Sequence, residues 1–415
     1  APQARVSDSE LSQFLLSVAL LLSAALAGGH LFARFGMPRV VGEICGGLVL
    51  GPSILGLIAP SLQTWLFQGF TEQAVVLSAF YWLGMIMLMF TAGFSITPKL
   101  APRDRVLALA LVAGGLGPPF LAGWLCASWL PNSAVADPLA FTLVVAIATS
   151  VTSIPVISRI FIDLGMMDSG FARLTLVAAA VQDLVLWVML AGATALQQKS
   201  QVAIADIGGV VAATLIFAIA SVMFLPALLR SVGRATISDA SEPMLMSYLL
   251  LFCLGLVAVA SLFEINLVFG ALLAGLVIGR FPSEQLAATR RRISDMAIWF
   301  FVPIYFALVG LKLDLPSDFA LLPVVGFIAL SSLVKIASVA LAARLARAPT
   351  GRALDFGITM NARGGPGIVL ASVAHATGII DDALFVAFVL ASIITSLATG
   401  SWLRWRLARD TAFAV

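Results

Sequence analysis

The stretch "TLVAAAVQDLVLWVML", Thr175 to Leu190, sets one carboxylate, Asp183, among apolar residues with no basic side chain within a helical turn. A charge in such surroundings is costly unless something neutralises it, and the apolar run around it is long enough to cross a bilayer. The rest of the chain reads the same way. Of 415 residues, 61% are hydrophobic and 11% charged, against roughly a quarter charged in soluble globular domains. The chain is therefore expected to be an all-α polytopic membrane protein. Lipid offers no partner to unpaired backbone groups, and these segments lack the alternation of a barrel.

Working outward from residue 183, thirteen transmembrane helices are expected, at 11–34, 40–57, 75–96, 106–130, 138–162, 172–196, 205–230, 244–262, 265–280, 296–313, 319–345, 355–377 and 382–407. The loop charges support the count, because cytoplasmic loops collect Lys and Arg. Nineteen bases fall on one side, and only Arg5, Lys199 and Lys312 on the other. A miscounted span would have mixed the two sets. This predicts an outside N-terminus and a cytoplasmic C-terminus, in a bacterial inner (plasma) membrane. The net charge of +3 is spread over one side of a bilayer, which argues against a nucleic-acid partner.

The chain also repeats itself. "FGMPRVVGEICGGLVLG" places Gly42, Gly47 and Gly51 at the spacing of Gly270, Gly275 and Gly279 in "INLVFGALLAGLVIG", at an offset of 228. "MLMFTAGFSI" matches "IYFALVGLKL" with Gly93 on Gly310, at an offset of 217. "ATSVTSIPVI" matches "TMNARGGPGI" with Pro155 on Pro366, at an offset of 211. The matched spans lie seven apart, an odd number, so two six-helix repeats are expected to be inverted relative to each other. The implied division is a first repeat at 1–196, a linker helix and loops at 197–243, a second repeat at 244–407 and a cytoplasmic tail at 408–415.

Pro155 and Pro366 each follow a polar cluster at mid-span, and proline there removes an amide donor and clashes with an earlier carbonyl. Both helices should break. Irregular backbone at membrane depth must line a cavity or be buried in protein, so the two broken helices should cross in the core. Ser150, Thr152, Ser153, Thr359 and Asn361 supply oxygens of the kind a hard monovalent cation takes. An ionised Asp183 at mid-bilayer costs about 2.5 kcal/mol or more, so it calls for a cation, a proton or a basic partner. Lys335 and Arg363 are the two bases inside spans, and both are expected to compensate charge. Lys335 can alternatively release a proton when desolvated. A structural ion pair of Asp183 with either base is the competing reading.

Other polar residues read more simply. Glu43 and Glu264 sit near helix ends, where either can snorkel to the interface, and are expected to be structural, with an entrance role second. His30 and His375 are expected to be packed or interfacial. Cys45, Cys126 and Cys253 lie far apart, with no metal spacing. The glycines around residues 42–51, with Ala271, Gly275 and Gly279, form small faces that let helices approach closely.

"VVGEICGGLVLGPSILGL", "FGALLAGLVIG", "FFVPIYFALVGLKLD", "TSVTSIPVISRIFIDLG" with "VQDLVLW", and "NARGGPGIV" together resemble the monovalent cation:proton antiporter superfamily, in its cation:proton antiporter-2 branch. The likeness covers essentially the whole chain. It implies the sodium/proton antiporter fold, a core of crossed broken helices, a separate dimerisation scaffold giving a homodimer, and an elevator-like shift. It puts Asp183 at the family's cation- and proton-binding aspartate. Gln182 stands where electrogenic relatives carry a second aspartate, which implies one H⁺ per Na⁺ or K⁺ and no net charge moved. The expected function is thus secondary active exchange, not enzymatic, needing membrane lipid but no cofactor beyond the transported ions. A gated cation-selective pore, or a regulatory membrane subunit on the same scaffold, is the alternative, and symport of an organic anion is a third reading.

Overall fold

Helix starts in this chain are set by local chemistry. Ser7 and Glu10 form a reciprocal capping box, the Ser7 amide donating to Glu10 Oε2 at 2.7 Å. Asp137 accepts from the amides of Leu139 and Ala140 at 2.9 Å, with Pro138 in the first turn where its missing amide costs nothing. The computed structural model describes residues 7–94, 104–134, 137–167, 169–198, 204–227, 242–263, 265, 267–281 and 284–409. Glu264 lies outside them.

In chain order the helices are α1 (Asp8–Arg34), α2 (Arg39–Leu50), α3 (Leu55–Ile58), α4 (Pro60–Gln68), α5 (Gln73–Phe94), α6 (Arg105–Cys126) and α7 (Pro138–Ser150). There follow α8 (Ile154–Asp163), α9 (Gly170–Gln198), α10 (Ile204–Met223), α11 (Glu242–Leu262) and α12 (Leu267–Gly279). The chain continues with α13 (Glu284–Met296), α14 (Val302–Leu311), α15 (Leu315–Asp318), α16 (Leu321–Leu345), α17 (Thr350–Met360), α18 (Gly365–Ala376) and α19 (Asp382–Arg409). A π-helical turn, Ala297–Phe301, joins α13 to α14. Among the described residues, nine helices are long and apolar enough to cross a membrane. Pro138–Ser150 and Leu267–Gly279 are apolar but shorter. The fifth and twelfth expected spans are each built from two short helices rather than one.

The chain divides into two compact units. One holds the residues up to Leu88 together with Ser294–Phe319. In it α1 and α2 run antiparallel with their backbones almost touching. A Cβ on Gly42 would stand 2.1 Å from the carbonyl oxygen of Gly28, and one on Gly46 2.3 Å from that of Ala24. On α2, Gly47 meets the Ala307 carbonyl of α14, and Gly310 of α14 meets the carbonyl of Ile44. The expected small faces therefore do pack. Glu43 lies within this glycine-lined stretch of α2 and is buried. Its side chain packs against Gly29 of α1.

The other unit holds Met89–Ile293 and Ala320 onward. Here Gly275 of α12 meets the Phe90 carbonyl of α5, and Gly93 meets the Leu272 carbonyl. Its core gathers α8, α9 and α17, where the Phe171 and Phe356 rings stack at 4.5 Å between centroids. Cys253 is buried, Cys45 and Cys126 are half-buried, and all three are free thiols.

Candidate functional site

α7 stops at Ser150 and α8 begins at Ile154, leaving Val151, Thr152 and Ser153 non-helical. α17 stops at Met360 and α18 begins at Gly365. Each break thus falls just before its proline. Pro155 and Pro366 open the first turn of the following helix, where the preceding residue is anyway steered out of the helical region.

The two breaks meet. The Ser153 amide donates to the Ala362 carbonyl at 2.8 Å, and Thr152 Oγ1 donates to the Met360 carbonyl at 2.9 Å. Gly364 makes this approach possible, since a Cβ there would stand 2.1 Å from Val156 Cγ2 and 2.7 Å from Ser153 Oγ.

The end of α7 exposes carbonyls that no following turn satisfies, and both intramembrane bases serve them. Lys335 of α16, fully buried, donates through Nζ to the Ser150 carbonyl, to the Val151 carbonyl at 3.1 Å and to Thr152 Oγ1 at 2.6 Å. Arg363 donates through Nη2 to the Thr149 carbonyl at 3.1 Å. Positive charge at a helix C-terminus also offsets the dipole. Gln182 of α9 is equally committed. Its Nε2 donates to the Leu111 carbonyl at 3.0 Å and to that of Val112 at 3.3 Å, and Thr152 Oγ1 stands 3.0 Å from its Oε1.

Asp183 is 3% exposed, and its Oδ1 has no hydrogen-bond partner among the described residues. It makes no salt bridge there with Lys335, whose Nζ serves the α7 carbonyls, or with Arg363, whose Nη2 does. It lines a small cavity with Ile147, Val151, Leu186, Trp187, Leu190, Pro366 and Leu370. The cavity's volume of about 10 Å³ is close to what one water requires. Thr359 Oγ1 and Asn361 Oδ1 are also buried acceptors without a partner among the described residues. Ser150 Oγ instead bonds back to the Ala146 carbonyl at 2.9 Å, and Ser153 Oγ accepts the Val156 amide at 3.4 Å as a loose cap.

Sequence reasoning overlooked two further polar clusters. Asp355 of α17, fully buried, accepts from Arg406 Nε at 3.2 Å and from Trp402 Nε1 at 2.9 Å. At the first position of a span it reads as an ordinary interface acid, and only antiparallel pairing of α17 with α19 reveals its partner. Asp381 accepts from the Ser133 amide and hydroxyl at 2.7 and 2.6 Å, and Asn132 Nδ2 donates to the Ile379 carbonyl at 2.9 Å. His375 pairs with Asp382 at 2.8 Å and is half-exposed.

Long apolar helices, with two interrupted ones whose breaks bond to each other around a buried carboxylate, define an integral multi-pass membrane protein of the broken-helix transporter class. Residues 20–409 match the sodium/hydrogen exchanger transmembrane family, and the chain belongs to that family, a family of transporters and not of enzymes. It is 27% identical over 400 residues to the Na⁺/H⁺ antiporter NhaS4 of Synechocystis, covering 93% of this chain and 95% of that protein. It is 28% identical over 411 residues to K⁺/H⁺ antiporter 1 of Saccharomyces cerevisiae, covering 95% of this chain. There it spans about half the relative's length, 46%. The fold resembles that of the sodium proton antiporter MjNhaP1 from Methanocaldococcus jannaschii, with a TM-score of 0.69, 14% identity, and coverage of 96% and 97% of the two chains.

Proposed function

We propose that the chain exchanges a monovalent cation, Na⁺ or K⁺, for H⁺, with Asp183 carrying each in turn. The observation that carries this reading is Asp183 itself: a buried carboxylate beside a cavity, with its Oδ1 unpaired and no salt bridge among the described residues, while Lys335 donates to the Ser150 and Val151 carbonyls and Arg363 Nη2 to that of Thr149. An unpaired carboxylate at membrane depth must be protonated or hold a cation, and competition between the two for one group is an exchange reaction. Thr359, Asn361 and the carbonyls at the breaks are the oxygens that would complete a cation's shell. Relatives that carry the names Na⁺/H⁺ and K⁺/H⁺ antiporter support the same reading.

With Asp183 as the titratable acid at the crossing and Gln182 an amide that has no proton to release, exchange is electroneutral, one H⁺ per cation. We further read thirteen transmembrane helices in two inverted repeats around a linker helix. The glycine contacts support this. Gly310 on Ile44, and Gly47 on Ala307, recur as Gly93 on Leu272, and Gly275 on Phe90, at the repeat offsets of 228 and 217. Motion of an elevator type in a homodimer, with the N-terminus outside and the C-terminus in the cytoplasm of a bacterium, completes the proposal.

The test is pH-dye dequenching in proteoliposomes challenged with Li⁺, Na⁺, K⁺ and Rb⁺ across a pH series. Na⁺ or K⁺ is expected to dissipate an imposed proton gradient. A protein that responds to none of the four ions is not this antiporter, and single-channel currents would replace exchange with a pore.

A further inference from the structure

The second break is held by a helix that takes no part in the crossing. α17 ends at Met360, so its last carbonyls need partners that the helix itself does not supply. Two find them locally, the Ile358 carbonyl from the Asn361 amide and the Thr359 carbonyl from the Ala362 amide, each at 3.2 Å. Two are met by the first break, Met360 by the Thr152 hydroxyl at 2.9 Å and Ala362 by the Ser153 amide at 2.8 Å. The remaining contacts come from α19. Ser396 Oγ donates to the Arg363 carbonyl at 2.5 Å, Thr399 Oγ1 donates to the Ile358 carbonyl at 2.9 Å, and the Arg363 amide donates to Thr395 Oγ1 at 3.1 Å.

Ser396 and Thr399 differ here from their neighbours. A serine or threonine inside a helix commonly returns its one hydrogen to the carbonyl four residues back. Thr149, Ser150 and Ser392 do so at 2.7, 2.9 and 2.9 Å, and Thr395 does so at 2.7 Å. Ser396 and Thr399, 2% and 1% exposed, spend theirs on the backbone of the second broken helix instead. Their two acceptors, Ile358 and Arg363, bracket residues 359–362. That short segment carries Thr359 Oγ1 and Asn361 Oδ1, the buried acceptors without a partner among the described residues. Neither α19 hydroxyl lines the cavity at Asp183.

We propose that Ser396 and Thr399 are positioning residues that set which monovalent cation the site prefers, a role that rests on the exchange reading above. By fixing Ile358 and Arg363 they fix the spread of the Thr359 and Asn361 oxygens between them. Selection among hard cations depends on the size and rigidity of such an oxygen shell. Loosening either end should therefore weaken the hold on the best-fitting ion before it slows turnover.

The experiment measures half-saturating concentration and maximal exchange rate for Li⁺, Na⁺, K⁺ and Rb⁺ in proteoliposomes of the full chain. Thr399→Val keeps the volume and removes the hydroxyl, Thr399→Ser keeps the hydroxyl, and Ser396→Ala removes the other one. Thr399→Val and Ser396→Ala are each expected to raise the half-saturating concentration of the parent's preferred ion about tenfold, the worth of one hydrogen bond, with the maximal rate within about twofold. The preferred ion's advantage over the next is expected to shrink with it. Thr399→Ser, and Ser392→Ala on the same helix, are expected to keep the parental values. Equal shifts in Thr399→Val and Thr399→Ser, or a loss of rate with ion preference unchanged, overturn the proposal, and the pair at 399 decides alone if Ser396→Ala does not fold. A parent that exchanges none of the four ions removes the exchange reading and this proposal with it, whereas an active parent whose variants keep its ion preference overturns this proposal alone.

Discussion

The amide of Ser153 donates to the carbonyl of Ala362 at 2.8 Å, main chain to main chain, where the two interrupted helices cross. Neither break can shift alone without stranding a donor and an acceptor at membrane depth, where replacement partners are absent. The crossing is thus one mechanical piece, and the side chains that hold it are the places where substitution should be felt.

Lys335 is the first of these. Its ammonium satisfies the carbonyls of Ser150 and Val151 and the hydroxyl of Thr152. Lys335→Met keeps the volume and removes all three bonds, leaving the α7 carbonyls bare, at about 3 kcal/mol or more. Thermal unfolding of the detergent-purified protein is expected to fall by several degrees, and an unchanged midpoint would show that the cap is dispensable.

Gln182 tests the same junction from the α9 side. Because its Nε2 faces two carbonyl oxygens, of Leu111 and Val112, Gln182→Glu puts an acceptor against acceptors. We expect it to destabilise by about 2 kcal/mol and by more than Gln182→Met, in the same unfolding assay. A Glu variant more stable than the Met variant would mean that the amide orientation is reversed.

Much of this was legible beforehand, for identifiable reasons. Proline in an apolar run does not by itself end a helix, since α6 runs on through Pro118 and Pro119, but Pro155 and Pro366, each following a polar cluster and matched by a repeat, located both interruptions to within a turn. Asp183 stood out because nothing nearby in sequence neutralises it. What the sequence left open was the direction of the bases. Whether Lys335 points to Asp183 or to a helix end depends on rotamers and on the carbonyls exposed by the break, neither of which has a sequence signal. Asp355 was hidden for a related reason, as its partner Arg406 lies on a different helix. The burial of Glu43 was not legible because proximity to a helix end says nothing about a glycine-tight neighbour such as α1.

The glycine faces give a sharp contrast. Gly47→Ala would drive a Cβ to 1.9 Å from the Ala307 carbonyl oxygen, which backbone cannot concede, whereas Gly255→Ala on α11 meets nothing within 4 Å. The first is expected to yield little folded protein, and the second to be neutral or stabilised by about 0.5–1 kcal/mol through helix propensity. Size-exclusion profiles of the two variants separate these outcomes, and a monodisperse Gly47→Ala peak of parental yield would refute the close approach.

Asp381, outside the membrane spans, gives a pH dependence. Burial pushes its carboxyl up, but the hydrogen bonds from the Ser133 hydroxyl and amide and the Leu384 amide outweigh this and hold it below its ordinary 3.8. A group depressed in the folded state stabilises above its unfolded value and loses that contribution as pH falls through the folded one. Asp381→Asn is therefore expected to lower the unfolding midpoint at pH 7, and its gap to the parent to narrow as pH falls below the ordinary carboxylate value of 3.8. A gap that widens with acid would have the wrong sign.

The central claim is that one carboxylate holds either a proton or a cation. The most direct measurement is proton release when Na⁺ or K⁺ is added to the detergent-purified protein in weak buffer, read alongside cation binding by calorimetry. One proton leaving for each cation bound, with both signals lost in Asp183→Asn, is the result expected. Cation binding that releases no proton, or that survives Asp183→Asn, would contradict it.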